Sequence, residues 1–134
     1  MLEQEQSSKP PVKTVLVVED DQDIGEVFVQ ALSQETSYIP VLATDGEEAL
    51  AFVQEIQPDL LVLDYHLPHM NGIELYDHLH RMKELKNVPA IIVSATLPER
   101  DLKQRGLLGL CKPLDLNDLL ETTNSVLRST DKSR

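Results

Sequence analysis

Apolar residues along this chain fall into two alternating patterns. Short runs with little polar interruption, Thr14 to Val18, Ile39 to Ala43, Leu60 to Leu63, Ala90 to Val93 and Leu107 to Cys111, have the length of strands. Between them the period changes. Ile24, Val27, Phe28, Ala31 and Leu32 follow the i, i+3, i+4, i+7, i+8 spacing of one helix face. Ala49, Leu50, Val53 and Ile56 predict a second helix, which Thr44-Asp-Gly-Glu47 opens with capping-box spacing and Pro58 stops. Ile73, Tyr76, Leu79 and Met82 predict a third. A short fourth helix follows Thr96-Leu-Pro-Glu99, and Leu116, Leu119, Leu120 and Val126-Leu127 predict a last one with Asp115 at its N-cap.

Five strand–helix units imply crossover connections, hence parallel strands with helices on both faces: an α/β, doubly wound sheet. Leu60 to Leu63 is apolar throughout, as a strand covered on both faces is. Pro40 lacks the N–H that a central strand needs, so its strand belongs at the sheet edge.

At 134 residues the chain is the size of one domain, for which ~100–150 residues is typical. Residues 1–12 are polar, end near Pro10-Pro11 and read as a flexible lead-in; the domain is expected over 13–128, with a tail at 129–134. The net charge of −11 opposes phosphate backbones and anionic lipid, which argues against direct nucleic-acid binding. No apolar run approaches the ~20 residues of a membrane span. The single cysteine, Cys111, cannot form an internal disulfide, and a reducing cytoplasm is the expected compartment.

In doubly wound sheets, ligands bind beyond the carboxyl ends of the strands. The predicted strand ends here carry Glu19, Asp20 and Asp21, then Asp64, Ser94 and Lys112. Carboxylates gathered at one edge repel by about 1 kcal/mol per pair at 4 Å even in water, so a cation belongs among them. Hard oxygen donors suit Mg²⁺, and Lys112 supplies a further positive charge. Asp64 facing both would be a carboxylate nucleophile able to accept a phosphoryl group, with the Ser94 hydroxyl donating to one of its oxygens.

The fragments VLVVEDD at 15–21, LLVLDYHLPHMNG at 60–72, IIVSA at 91–95 and CKP at 111–113, in this order and spacing, resemble the receiver domain of bacterial two-component response regulators. The resemblance implies a flavodoxin-like, CheY-like fold with strand order 2-1-3-4-5. It implies Asp64 as phosphoacceptor, Mg²⁺ held by Asp20, Asp64 and the backbone carbonyl of His66, and Glu19 acting mainly through water. It makes Ser94 the switch hydroxyl and Lys112 the phosphoryl-contacting lysine, usually followed by a cis proline bond. The implied partners are a histidine kinase or a histidine phosphotransfer domain, and a downstream protein target. Ile24 and Pro113 are the candidate docking contacts. The domain would catalyse only its own aspartyl phosphorylation and dephosphorylation.

One position departs from the resemblance. An aromatic residue usually stands three before the lysine and turns inward on phosphorylation; here it is Gly109. The expected response therefore lies in the loop Ser94 to Pro98, and the alternative function is a binding module that works without phosphorylation. A flavin carrier on a similar sheet would want a glycine- and hydroxyl-rich phosphate loop after the first strand; Glu19-Asp20-Asp21 is its opposite. His78 and His80, two apart, do not share a helix face for zinc. Asp21 and Asp23 read as a helix start complementing its dipole.

Overall fold

The computed structural model of the chain describes residues 12–132. Its elements alternate throughout: β1 (Thr14–Val18), α1 (Gln22–Glu35), β2 (Ile39–Ala43), α2 (Gly46–Phe52), β3 (Leu60–Asp64), α3 (Gly72–His80), a 3₁₀ turn (Lys83–Leu85), β4 (Ala90–Ser94), α4 (Glu99–Arg105), β5 (Leu108–Cys111) and α5 (Leu116–Lys132). The five strands form one sheet of order β2-β1-β3-β4-β5 in which every pair is parallel. The fold is thus the expected doubly wound one. Pro40 lies on edge strand β2, opposite Val15 of β1.

Alternation along the strands sends side chains into two layers. Val15, Val17, Leu60, Val62, Ile91 and Val93 pack with Phe28 and Leu32 of α1 and Leu119 and Leu127 of α5. Leu16, Val18, Leu61, Leu63 and Ile92 pack with Ala49 of α2, Ile73, Leu75, Tyr76 and Leu79 of α3, and Leu102 of α4. Strand β3 is buried from end to end. The chain winds from β1 to β2 in one direction and returns past β1 to β3, β4 and β5 in the other. The reversal lies between β1 and β3, where Glu19 and Asp64 emerge.

Several boundaries differ from the expected ones. The buried face of α1 is Gly25, Phe28 and Leu32, whereas Ile24 and Val27 are exposed. Gly25 lets the helix approach β2 so closely that a methyl carbon there would come 2.7 Å from Leu42 Cδ1. Of the expected stripe, Phe28 and Leu32 stay in the core while Ile24 and Val27 turn to solvent. The cap of α2 lies one residue later than Thr44: Asp45 accepts from the Glu48 N–H, and Glu48 accepts in return from the Thr44 N–H, each at 2.7 Å. That helix ends at Phe52, before Val53 and Ile56. Helix α3 ends before Met82. Asp115 does precede the last helix, its side chain accepting from the Asn117 N–H at 2.7 Å, but α5 runs on to Lys132, through most of the expected tail. The lead-in, apart from Val12, and residues 133–134 lie outside the described residues. Among the described residues no helix is long and apolar enough to cross a membrane.

Candidate functional site

Every polar residue singled out at a strand end lies on the same edge of the sheet, because parallel strands all finish there. Glu19 continues β1 by one rung, its N–H donating to the Ala43 carbonyl at 3.0 Å. Asp64 is the last residue of β3, Ser94 the last of β4, and Lys112 follows β5. Glu19 and Asp64 are buried, at 2% and 3% exposure; Asp20 is exposed. Asp21 caps α1, accepting from the Ile24 N–H at 3.1 Å, which keeps it at the helix start.

Lys112 joins the two buried carboxylates, its Nζ lying 3.2 Å from Asp64 Oδ1 and 3.3 Å from Glu19 Oε1. Burial pushes the Glu19 carboxyl up to about 7, against the Asp21 N–H that donates to it; the Asp64 charge pushes the same way as burial and Lys112 the other. Burial also works against the Lys112 ammonium, but the hydrogen bonds and charges of Asp64 and Glu19 outweigh it and hold the lysine above its ordinary value. One ammonium between two buried carboxylates leaves net negative charge. Exposed Asp20 adds a third carboxylate, so acidic groups outnumber basic ones at this edge.

Glu19, Asp20 and Asp64 each offer a carboxylate oxygen, all within 4.8 Å of one another. Three hard oxygen donors, one of them open to water, fit a small divalent cation that keeps several waters of its own. His66 is exposed on the loop after β3, its ring edge-on to Tyr65 at 5.0 Å.

The β3–α3 loop is fastened close to Asp64. The Gly72 N–H donates to the Tyr65 carbonyl at 2.8 Å, and a methyl carbon on Gly72 would come 2.5 Å from the Asp64 backbone oxygen. Asn71 and Glu74 then cap α3 reciprocally, at 2.8 and 2.9 Å. This cap is absent from the expectations above, although the Asn71…Glu74 spacing carries its signal in the sequence. On the other side of the site Ser94 is turned to its own loop, donating to the Thr96 carbonyl at 2.8 Å and accepting from the Thr96 N–H at 3.3 Å. The Lys112–Pro113 peptide bond is cis.

A family model described as response regulator receiver domain matches residues 15–124. The chain belongs to this family. It is a receiver domain of the two-component response regulators, a signalling domain rather than an enzyme acting on an outside substrate. Similar proteins include the transcriptional regulatory protein BaeR of Escherichia coli, 30% identical over 128 residues covering 90% of this chain and 50% of BaeR. The polar-differentiation response regulator DivK of Brucella ovis is 31% identical, covering 86% of this chain and 96% of DivK. The chemotaxis response regulator CheY4 of Vibrio cholerae is 30% identical, with a TM-score of 0.79 over 87% of this chain and 99% of that one. The receiver spans about half the length of BaeR, and nearly all of DivK. Receivers as a family bind Mg²⁺ at an acidic pocket and meet histidine kinases and downstream targets, and the acidic trio here fits that use.

Proposed function

We propose that this receiver takes a phosphoryl group onto Asp64 from the phosphohistidine of a histidine kinase or phosphotransfer domain, and passes the change to a downstream protein. The observation that carries the reading is the 3.2 Å approach of Lys112 to a buried Asp64, beside two more carboxylates. An Asp64 carboxylate oxygen attacks phosphorus, a P–O bond forms, the P–N bond breaks, and the imidazole leaves with the electron pair and gains a proton. Mg²⁺, held by Glu19, Asp20, Asp64 and the His66 carbonyl, would offset the charge of the incoming phosphoryl oxygens. Lys112 gives a fixed positive charge to the same oxygens. Ser94 offers a hydroxyl once it lets go of Thr96.

The donor would approach over α1. Ile24 and Val27 are 37% and 48% exposed there, ringed by exposed Asp20, Asp21, Asp23 and Glu26, with exposed Pro113 on the loop after Lys112. A partner of complementary chemistry presents an apolar centre with basic residues around it. The net charge of −11 disfavours nucleic acid as a direct ligand, and the cytoplasm, where such donors act, is the proposed compartment. The working unit is the folded body from residue 13 to the end of α5.

Mass spectrometry after incubation with acetyl phosphate tests this. Wild type with Mg²⁺ should gain one phosphoryl group, and wild type in EDTA or Asp64→Ala none. Equal labelling of Asp64→Ala would move the acceptor elsewhere. An unlabelled wild type would make the chain a binding module that works without phosphate.

A further inference from the structure

A single hydroxyl ties the β4–α4 loop to the site, and the residue after that tie is turned inward. Ser94 holds Thr96 through both the carbonyl and the N–H. Leu97 then packs against the core layer beneath α3 and α4 and covers Gly109 of β5. A methyl carbon on Gly109 would come 2.8 Å from Leu97 Cδ2 and 2.7 Å from Leu102 Cδ1, closer than real side-chain carbons approach. Gly109 does not have the positive φ that favours glycine, which among the described glycines only Gly106 has. Space rather than backbone conformation therefore calls for glycine at this position. Its missing side chain is the seat of Leu97.

The two ends of α4 are held very differently. At its C-terminal end Arg105 is clamped to Asp77 of α3 by two hydrogen bonds of 2.8 Å, and Gly106 closes the helix in the left-handed conformation. At its N-terminal end Pro98 makes no side-chain cap and Ala95 and Thr96 are exposed. Beside Leu97 an open groove of about 690 Å³, bordered by Leu102, Leu107 and Leu108, offers room to move into. A hydroxyl has one proton, so Ser94 cannot donate to Thr96 and to a phosphoryl oxygen together.

We propose that Leu97 is the moving part of this receiver: it sits on Gly109 while Ser94 holds Thr96, and leaves with the N-terminal turn of α4 when Ser94 turns toward a phosphoryl group. The Arg105–Asp77 clamp is the fixed end of that swing. Only the trigger rests on the Asp64 reading; the seat and the clamp do not.

The experiment is methyl NMR on the full chain, following the cross-peak between the Leu97 methyls and the Gly109 α-protons. Beryllofluoride with Mg²⁺ serves as the phosphoryl mimic, and its own ¹⁹F signal reports whether it binds. The cross-peak should be present in the free wild type and lost when beryllofluoride is bound. It should also be lost in Ser94→Ala without any ligand, because both bonds to Thr96 are gone. Leu97→Ala, which empties the seat without crowding it, should bind beryllofluoride as wild type does but no longer shift the amides of Arg100 to Lys103. No ¹⁹F signal in wild type would defeat the Asp64 reading alone, and Ser94→Ala would then decide. A cross-peak that survives bound beryllofluoride or Ser94→Ala, or undiminished shifts in Leu97→Ala, overturns the role of Leu97.

Discussion

Lys112 Nζ stands 3.2 Å from Asp64 Oδ1, and no other donor among the described residues reaches that oxygen. The ammonium is thus the main partner of a buried charge, and it is shared with Glu19. Lys112→Met keeps the length of the side chain and removes the charge, leaving two buried carboxylates facing each other. With the lysine 28% exposed, the loss should fall between that of a surface pair and a fully buried one, about 1–3 kcal/mol. Urea denaturation in EDTA reads it, and saturating Mg²⁺ should narrow the gap to wild type. Equal stability of the two proteins in EDTA would mean that the carboxylates are neutralised by protons instead.

Proton uptake is the alternative route, and Glu19 is where it acts. Its carboxyl is raised from 4.5 to about 7, chiefly by burial. A raised acid binds its proton more tightly in the folded chain than in the unfolded one, so its contribution to stability is present below about 4.5 and lost as pH rises through about 7. In EDTA the wild-type Tm should therefore fall across that window relative to Glu19→Gln, whose side chain cannot ionise. Mg²⁺ should reduce the difference, since a bound cation favours the charged form. A wild-type Tm that rises relative to Glu19→Gln over the same pH range would show that Lys112 outweighs burial.

The loop that follows Asp64 permits a sharper test. On Gly72 a methyl carbon would meet backbone, 2.5 Å from the Asp64 oxygen and 3.1 Å from Tyr65 Cα. On Gly46 it would meet only the thioether of Met70, at 3.0 Å, which is flexible and can yield. Gly72→Ala should cost about 3 kcal/mol and weaken Mg²⁺ binding by displacing Asp64, whereas Gly46→Ala should cost less than about 1 kcal/mol. Urea midpoints and Mg²⁺ titrations of both variants check this. Similar losses for the two would mean that the β3–α3 loop shifts freely.

Gly72 also marks what the sequence could and could not reveal. Strand ends were legible because an uninterrupted apolar run stops where its polar residue begins, and parallel winding then brings Glu19, Asp64, Ser94 and Lys112 to one edge. Pro40 likewise announced an edge strand through its missing N–H. Side-chain direction was less legible. The stripe Ile24, Val27, Phe28 obeys helical spacing, yet the close seat of Gly25 on Leu42 turns its first two members to solvent. Glycines were the blind spot in general, because a pattern of apolar positions assigns them no face. Gly25, Gly72 and Gly109 each matter through what a neighbour places in the empty space. The Arg105–Asp77 pair, 28 residues apart in the chain, leaves no periodic trace at all.

The exposed pair on α1 yields the last prediction. Ile24 and Val27 lie outside both apolar layers, on a helix whose burial rests on Gly25, Phe28 and Leu32. Replacing both by alanine should shift stability by less than about 1 kcal/mol, as expected of surface positions. The acidic cluster is untouched, so acetyl phosphate should label the double variant as fast as wild type. Transfer from a phosphohistidine donor domain that labels wild type should slow, because the apolar centre of the contact is gone. Raising the salt should slow wild-type transfer as well, since the surrounding Asp20, Asp21, Asp23 and Glu26 would be steering a basic partner surface. Normal transfer in a variant that has lost thermal stability would return Ile24 and Val27 to a packing role and place the donor elsewhere on the rim.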